Sequence, residues 1–512
     1  MPLRILLLNP PHTAIGSRIP TEQLPPLGLL SIGGPLLDAG FTVELLDADL
    51  KALGLPDILH GVLRFAPDVL MIGHAGSTSA HPTVVKIARA LKQSMPQLTI
   101  VYGGVYPTYH WQDILRDVAE IDVIVRGEGE RTTTRAMQAL AAGEALAQIE
   151  GLAFRQGGQV VGTSSAPMIQ NLDDYRVGWE LIDHDQYSYW GRMKAVVVQF
   201  SRGCPFQCSY CGQRGFWTQW RHRDPVKFAA EIARMYRQHG VELFNFADEL
   251  PTGSRPAWKA FLEALIAENV PVTLVGSTRA GDIVRDADIL HLYRKAGVIR
   301  FLLGIENYDQ TTLQSIRKGS TTKDDREAIR LLRQHGILSM ATYVLGFEEE
   351  TEQDYRRSIR QLLMYDPDQI QMLYITPHRW TPFFNTVKDR RVILSDQTKW
   401  DYKHQVLATQ HVPTWKTFVW FKAIELIVQL RPRMLWRMLS SRDPRFLHAM
   451  RWYYDVGRRV WFHEVWELFF RLDHRQDGPT VEEFWGPSLA QHEEALSRQR
   501  RVRSTPQGVS AD

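Results

Sequence analysis

The three cysteines of this 512-residue chain, Cys204, Cys208 and Cys211, lie within eight positions of one another. Thiolates are soft ligands that suit iron–sulfur clusters. A spacing of three and then two residues lets one loop hold three corners of a cubane, which leaves the fourth iron open to a small molecule. We therefore expect a [4Fe–4S] cluster on these cysteines. The alternative is a zinc site completed by a histidine such as His222.

The cysteines follow an apolar segment that we predict to be the first strand of a βα series. Segments with helical spacing separate it from five further strands. Six strands with helices between them predict a partial βα (TIM-like) barrel, with the cysteines on its first loop. The predicted strands are 195–200, 243–246, 272–275, 300–304, 339–344 and 369–373.

A second strand–helix alternation precedes the barrel. Its strands are nearly continuous apolar runs, which are typical of a doubly wound parallel sheet with both faces buried. Such sheets bind ligands beyond the carboxyl ends of their strands, and glycines there allow a bulky ligand to approach the backbone. The predicted strands are 4–9, 41–47, 69–74, 99–104 and 123–127.

These patterns predict an α/β chain of several parts. We expect a Rossmann-like domain over 1–150, a hairpin and linker over 151–190, and the barrel over 191–385. Residues 386–490 show helical spacing and many Trp, Tyr and Arg, so we expect a mostly helical, substrate-associated region. The Arg-, Gln- and Ser-rich segment 491–512 is typical of a disordered tail.

Composition excludes some classes of function. A net charge of +3 gives no argument for a nucleic-acid partner, and 44% hydrophobic residues are ordinary for a globular protein. An odd number of clustered cysteines suits a reducing compartment, so we expect a cytoplasmic protein. The apolar run near the N-terminus ends in Asn9-Pro10-Pro11, which favours a strand over a signal peptide.

The cysteine pattern, placed after the first strand of a βα series, resembles the radical S-adenosylmethionine (SAM) superfamily. This resemblance implies that the open iron binds the amino and carboxylate groups of SAM, and that one electron then generates a 5′-deoxyadenosyl radical. Residues 307–309 (Asn-Tyr-Asp) depart from the Ser-Gly-Ser of many members. The positions that match the family's SAM contacts are Tyr210, Asp248, Glu249, Ser277, Arg279 and Glu306.

The N-terminal part is similar to the cobalamin-binding domains that precede the barrel in one large subgroup. Residues 25–29 (Pro-Pro-Leu-Gly-Leu) and 126–130 (Arg-Gly-Glu-Gly-Glu) carry this similarity. No Asp-x-His-x-x-Gly motif is present, so no histidine is expected to replace the lower base of cobalt through that motif. His74 either faces the corrin or bonds to the backbone. The similarity implies cobalamin contacts at His74, Ser77, Thr78, Gly103, Gly104, Gly127 and Glu128.

A nucleotide-binding fold without cobalamin is the alternative for this domain. The absence of Gly-x-Gly-x-x-Gly after the first strand weakens that alternative.

Within the radical SAM family, the chain resembles the oxygen-independent cyclases of chlorophyll formation. The resemblance lies in 216–217, 223–225, 400–406, 429–432 and 452–461. It implies a magnesium-porphyrin substrate, magnesium-protoporphyrin IX 13-monomethyl ester, and protochlorophyllide as the product. It also implies an electron donor such as ferredoxin or flavodoxin. The Trp, Tyr and Arg residues of the C-terminal region suit a flat apolar macrocycle with carboxylate tails.

Two other functions remain open at this stage. One is a cobalamin-dependent radical SAM methyltransferase acting on a tetrapyrrole or another unactivated carbon, and the other is a non-catalytic metal-binding or tetrapyrrole-carrier protein. His378, His404 and His411 are either axial ligands of the magnesium or ordinary histidines. The apolar segment 417–430 predicts either a packed amphipathic helix or a helix in peripheral contact with the photosynthetic membrane.

Overall fold

The computed structural model describes residues 3–12, 22–74, 78–472 and 474–490. Two seven-stranded sheets, joined by the linker that follows the hairpin, form the framework of this part of the chain. The predicted fold class, a doubly wound N-terminal domain followed by a partial barrel and a mostly helical C-terminal region, is confirmed.

The first sheet has the order β2-β1-β3-β4-β5-β6-β7. Its first five strands are parallel, and the hairpin that turns at Gly157 and Gly158 adds two antiparallel strands at one edge. The strands are β1 (Arg4–Asn9), β2 (Thr42–Asp47), β3 (Val69–Ile72), β4 (Thr99–Gly103), β5 (Val123–Val125), β6 (Leu152–Gln156) and β7 (Gln159–Gly162).

Both faces of this sheet are buried, as its continuous apolar strands predict. Side chains alternate between the faces of a strand, so Ile5 and Leu7 join one hydrophobic cluster while Leu6 and Leu8 join another. Helices α1 and α5 cover the first face, and α2, α3 and α4 cover the second. These helices are α1 (Leu27–Asp38), α2 (Leu55–Phe65), α3 (His81–Ser94), α4 (Val105–Asp117) and α5 (Gly129–Ala142).

The second sheet contains six parallel strands in the order β16-β15-β14-β13-β12-β9, with β8 antiparallel at the β9 edge. A two-stranded sheet of β10 and β11 encloses the cysteine loop. The strands are β8 (Ser188–Tyr189), β9 (Met193–Val198), β10 (Ser201–Arg202), β11 (Arg221–His222), β12 (Leu243–Phe246), β13 (Thr273–Thr278), β14 (Val298–Glu306), β15 (Leu338–Leu345) and β16 (Gln369–Tyr374).

Local sequence signals explain where the barrel helices begin and end. The Asp224 side chain accepts hydrogen bonds from the backbone N–H groups of Val226 and Lys227, Pro225 starts helix α6, and Gly240 ends it at φ +66°. The helices are α6 (Pro225–His239), α7 (Arg255–Glu268), α8 (Ala280–Arg285), α9 (Leu290–Lys295), α10 (Gln310–Ser315), α11 (Thr322–Gln334) and α12 (Glu352–Tyr365).

The C-terminal helices pack on the open side of the barrel. The Tyr453 hydroxyl donates to the carbonyl of Ile370 at 2.6 Å and accepts from its N–H at 3.2 Å, so the edge strand β16 is covered by helix α16. No helix in the described ranges has the length and apolar character required to cross a membrane. The helices are α13 (Pro382–Val387), α14 (Thr414–Gln429), α15 (Pro432–Ser440), α16 (Pro444–Phe470) and α17 (Val481–Trp485).

Candidate active site

The three cysteines lie half-buried on the loop between β10 and β11, and all three are free thiols. Burial raises the pKa of Cys211 to about 12 and also raises the pKa of Cys204. Because a metal binds the thiolate, loading the site must release protons. Three thiols from one loop are the donor set that a cubane with one open iron requires.

The zinc alternative takes His222 as its fourth ligand. His222 is exposed, and its Nδ1 lies 2.8 Å from the carbonyl oxygen of Arg223.

Gly203 allows the cysteine loop to close on itself. Its backbone has a φ of +93°, and a Cβ built there would lie 2.2 Å from the carbonyl oxygen of Gln219. The residue immediately before Cys204 must therefore be glycine, because the two ends of the loop meet at this position.

The N-terminal domain and the end of the barrel segment hold the cysteine loop. The Trp380 indole N–H donates to the Gly212 carbonyl at 2.9 Å, and the Tyr109 hydroxyl donates to the Arg214 carbonyl at 3.1 Å. The Trp380 and Tyr109 rings also stack, with centroids 5.4 Å apart. The N-terminal domain and the segment that follows β16 therefore meet over this loop.

Asp248 and Glu249 follow β12 and brace the segment that leads to the cysteines. Asp248 accepts hydrogen bonds from the Ser201 N–H at 2.5 Å and the Ser201 hydroxyl at 2.7 Å, while Glu249 accepts from the Gly203 N–H at 3.2 Å. Burial raises the pKa of Asp248 to about 7 and that of Glu249 to about 8. In this arrangement Asp248 is a positioning residue.

Glu306 lies at an irregularity of β14 with a φ of +65°, and its Oε1 is 2.7 Å from the Lys318 ammonium. Burial alone would lower the pKa of Lys318, but the Glu306 carboxylate outweighs burial and raises it. Lys318 Nζ is also 3.5 Å from the Tyr210 hydroxyl. Two predicted SAM contacts, Tyr210 and Glu306, therefore meet at a lysine that sequence reasoning missed.

Arg279 bridges two loops. Its guanidinium carbon lies 3.2 Å from the centroid of the Phe206 ring in the cysteine loop, and its Nη2 donates to the Gly319 carbonyl at 2.6 Å. Ser277, two residues earlier, instead lines a large cavity of the barrel. Of these two predicted SAM residues, Arg279 therefore contacts the cysteine loop and Ser277 lines the cavity.

The predicted cobalamin residues lie at the carboxyl ends of β3 and β4. His74 Nε2 is 2.7 Å from the Tyr102 hydroxyl, and Gly104 has a φ of +115° at the start of α4. The Thr78 hydroxyl is fully buried and has no partner, so it is available to a ligand. Ser77 lies outside the described residues. This edge, with an orphaned hydroxyl and glycines, fits a bulky cofactor.

Gly127 and Glu128, two further predicted cobalamin contacts, bond to other residues of the protein. The Gly127 N–H donates to the Thr108 hydroxyl at 3.0 Å. Glu128 lies 3.2 Å from Arg202 and 3.0 Å from Arg221. Burial opposes the ionisation of Glu128, but the two arginines outweigh it and lower the pKa. Glu128 therefore links the first sheet to the cysteine segment.

A cavity of about 840 Å³ occupies the barrel interior beneath α14 and α16. Its volume falls in the range of small-molecule and cofactor sites, roughly 300–1,000 Å³. Strand residues from Asn245 to Gln371 form one wall, and aromatic residues of α16 form the other. These aromatic residues are Trp452, Tyr453, Tyr454, Trp461 and Phe462.

The three candidate magnesium ligands lie elsewhere. His378 is buried with its Nε2 2.6 Å from the Tyr402 hydroxyl, and burial lowers its pKa to about 4. His404 contacts a carboxylate at each ring nitrogen, Asp401 at 2.8 Å and Glu467 at 3.1 Å. No described residue lining the cavity is a histidine.

Two family models match the chain. The model of the radical SAM superfamily matches residues 198–362, and the model of the B12 binding domain matches residues 20–136. The first match contains the cysteine loop and the strand ends described above. The second covers most of the first sheet and its flanking helices.

Among known proteins, an anaerobic magnesium-protoporphyrin IX monomethyl ester cyclase from Synechocystis sp. is 58% identical over 98% of this chain and 100% of its own length. A protein of the same name from Rubrivivax gelatinosus is 32% identical over 76% of this chain and 70% of its own length.

Solved structures support the fold. The radical SAM methyltransferase TsrM from Kitasatospora setae, with cobalamin and a [4Fe–4S] cluster bound, matches with a TM-score of 0.67 at 15% identity. That match covers 98% of this chain and 100% of TsrM. At this identity it shows a shared architecture.

Proposed function

The chain belongs to the family of anaerobic magnesium-protoporphyrin IX monomethyl ester cyclases, and we propose that it closes the isocyclic ring of (bacterio)chlorophyll pigments. The proposed substrate is magnesium-protoporphyrin IX 13-monomethyl ester and the product is protochlorophyllide. The chain is a radical SAM oxidoreductase that uses a [4Fe–4S] cluster, SAM and cobalamin. When bound, these cofactors supply the radical that removes hydrogen from an unactivated carbon.

The observation that carries this proposal is the cavity beneath α16. It is large enough for a macrocycle, its C-terminal wall is aromatic, and it reaches Ser277 at the end of β13. A substrate in this cavity would therefore present its edge to the strand ends that surround the cysteine loop. The match with the Synechocystis relative spans 98% of this chain and therefore includes the helices that form this wall.

The residues of the site fall into groups with different proposed roles. We propose that Cys204, Cys208 and Cys211 hold the cluster and that Tyr210, Glu249, Ser277, Arg279 and Glu306 surround SAM. We propose that His74, Ser77, Thr78, Gly103 and Gly104 face cobalamin. Arg202, Asp248 and Lys318 position these groups through the contacts described above.

We also propose that the cavity mouth contacts an anionic membrane surface. Leu426, Leu430 and Phe462 line the cavity and are also exposed, so the cavity opens onto an apolar surface. Trp436 and Leu439 on helix α15, which directly follows α14 in the chain, are also exposed, by 70% and 83%. An apolar substrate stored in a lipid layer could enter through this mouth without crossing water.

Basic residues next to this surface favour anionic lipid. Arg433, Arg442 and Arg445 are exposed on or beside α15 and the start of α16, and their guanidinium groups have no carboxylate partner among the described residues. Cationic side chains beside exposed aromatic and aliphatic residues are typical of membrane-surface contacts. A small reductant such as ferredoxin or flavodoxin remains the proposed electron donor.

The test is anaerobic incubation of reconstituted protein with magnesium-protoporphyrin IX monomethyl ester, SAM and a reductant. We expect a pigment that has lost hydrogens and gained an oxygen from water, with 5′-deoxyadenosine as co-product. A product heavier by one CH2 unit would indicate a methyltransferase. Absence of 5′-deoxyadenosine from cluster-loaded protein would indicate a carrier.

A further inference from the structure

Arg300 is a buried cation in the wall of the large cavity. It lies on β14, is only 6% exposed, and its guanidinium carbon is 5.1 Å from the centroid of the Trp190 ring. Its other polar neighbours are the hydroxyls of Tyr189 and Tyr453 and the Met340 sulfur, the last 3.9 Å from Nη1. None of these neighbours carries a negative charge that could neutralise a guanidinium.

Arg300 also has unused hydrogen-bonding capacity. Its Nε is buried without a partner, and burial lowers the pKa of the group. A buried guanidinium is costly unless an anion satisfies it. Gln429, across the cavity on α14, likewise has a buried amide whose oxygen and nitrogen both lack partners. Polar groups of this kind point to a polar ligand in an otherwise apolar chamber.

The other cations that line the cavity already have carboxylate partners. Lys403 lies 3.8 Å from Glu425, and Arg458 lies 3.1 Å from Asp455. The cavity's third carboxylate, Glu464, is bound by Lys422. Among the described residues of this cavity, Arg300 is therefore the cation left for an external anion.

The position of Arg300 along its strand, relative to Ser277, matches the spacing of the two propionate chains of the proposed substrate. In the strand register, Arg300 is level with Val275 and Leu302 is level with Ser277. Two residues of strand separate these levels, which is about 7 Å. In the monomethyl ester, the free propionate and the esterified propionate lie on adjacent pyrroles and flank one meso carbon. An anchor for the free chain at Arg300 leaves its esterified neighbour near the level of Ser277.

We propose that Arg300 binds the free propionate of the porphyrin and so orients the esterified propionate toward Ser277 and the cysteine loop. The inference rests on the proposed function, because it takes the substrate class from there. Arg300 is thus a residue that distinguishes the monomethyl ester, which keeps one carboxylate, from a dimethyl ester, which has none. A planar guanidinium suits a carboxylate better than an ammonium does.

The test measures equilibrium binding to the cluster-loaded protein by quenching of porphyrin fluorescence. The probes are magnesium-protoporphyrin IX monomethyl ester and the corresponding dimethyl ester. The wild type should bind the monoester roughly 10- to 100-fold more tightly than the diester, as expected for a desolvated charge-assisted pair. R300Q should lose that preference by weakening monoester binding alone, and R300K should keep part of it.

The matched control is R459Q, on helix α16 of the opposite wall, where Arg459 is exposed and paired with Asp455 at 2.8 Å. It should bind both esters as the wild type does. Equal binding of the two esters by the wild type, or a preference that survives in R300Q, would overturn the role of Arg300 while leaving the cyclase proposal intact. If R300Q does not fold, an undiminished preference in R300K would overturn it equally. Failure of the wild type to bind either ester would instead defeat the proposed function.

Discussion

Arg202 Nη2 lies 2.5 Å from Glu130 Oε1. This contact joins helix α5 of the N-terminal domain to Arg202, two positions before Cys204. Both side chains are largely buried, with Arg202 14% and Glu130 5% exposed. The same guanidinium contacts Glu128 at 3.2 Å. The two cofactor modules are therefore connected through charges at the base of the cysteine loop.

Removing the Arg202 charge should destabilise the protein markedly. In R202Q, Glu130 and Glu128 would stay buried with less compensation, and breaking a buried pair costs about 3–5 kcal/mol. The free energy of unfolding from denaturant titration measures this loss. The exposed ion pair of Arg176 with Asp38 offers a control, since R176Q should cost less than about 1 kcal/mol. Equal losses in R202Q and R176Q would contradict the bridging role.

Alanine substitutions of the cysteines and of His222 should distinguish the cluster site from the zinc alternative. We expect C204A, C208A and C211A each to abolish the visible absorption of the cluster and the formation of 5′-deoxyadenosine. H222A should retain both, because His222 is exposed and its Nδ1 lies beside the Arg223 carbonyl oxygen. Retained SAM cleavage in all three alanine variants, or loss of iron in H222A, would defeat the assignment.

Gly203 should tolerate no side chain. In G203A the new Cβ would meet the Gln219 carbonyl at 2.2 Å on a backbone with φ +93°, so the loop must open. We expect a several-fold loss of iron per chain after reconstitution. G28A is the matched control, because nothing lies within 4 Å of a Cβ there and the site is helical. Full iron loading of G203A would show that the loop closes differently.

Glu467 should contribute stability that is lost in acid. Burial opposes its ionisation, but hydrogen bonds from His404 and Lys399 outweigh burial and hold the pKa of Glu467 well below the usual 4.5. A depressed carboxyl pKa stabilises the fold fully above pH 4.5 and progressively less as the pH falls below it. The unfolding free energy of E467Q should therefore be lower than wild type at neutral pH. The gap should narrow below about pH 4.5, and a gap independent of pH would refute this account.

The apolar surface at the cavity mouth should determine lipid binding. L439S combined with W436S removes two exposed apolar side chains, and each contributes to partition by its buried area. We expect at least a several-fold loss of co-sedimentation with vesicles that contain anionic lipid. L63S, at an exposed leucine on α2, should bind as the wild type does. Binding unaffected by the double substitution would argue against the membrane contact.

Much of the fold follows from the sequence because strand periodicity and capping residues act locally. The apolar runs located the strands to within a few residues, as with β14, predicted over 300–304 and observed over Val298–Glu306. The extension arises from pairing of Val298 with β13 and of Glu306 with β15, which are long-range contacts that no local pattern encodes. The cluster was predicted from the cysteine spacing, whereas SAM, cobalamin and the family followed from resemblance to known families, and all of them are confirmed.

The site was less predictable, because it depends on which long side chains meet across distant loops. Lys318 lies twelve residues beyond Glu306 and belongs to no motif recognised in the sequence, yet the two form a buried ion pair. The sequence predicts that Glu128 contacts cobalamin, because the residues around it match a known pattern. In the structure it forms ion pairs with Arg202 and Arg221. From the sequence, Arg300 is only a residue of a predicted strand. That its buried Nε has no partner depends on which side chains surround it in the fold.

The hydroxyl of Tyr453 that covers the edge of β16 has a wider consequence for adaptation. The wall of the proposed reaction chamber that faces the sheet is made by helices α14 and α16, so their side chains set its shape. Substitutions on these helices would change the space offered to a substrate while the cysteine loop, which lies between other elements, keeps its own contacts. The fit of a new substrate and the generation of the radical would thus depend on separate parts of the chain.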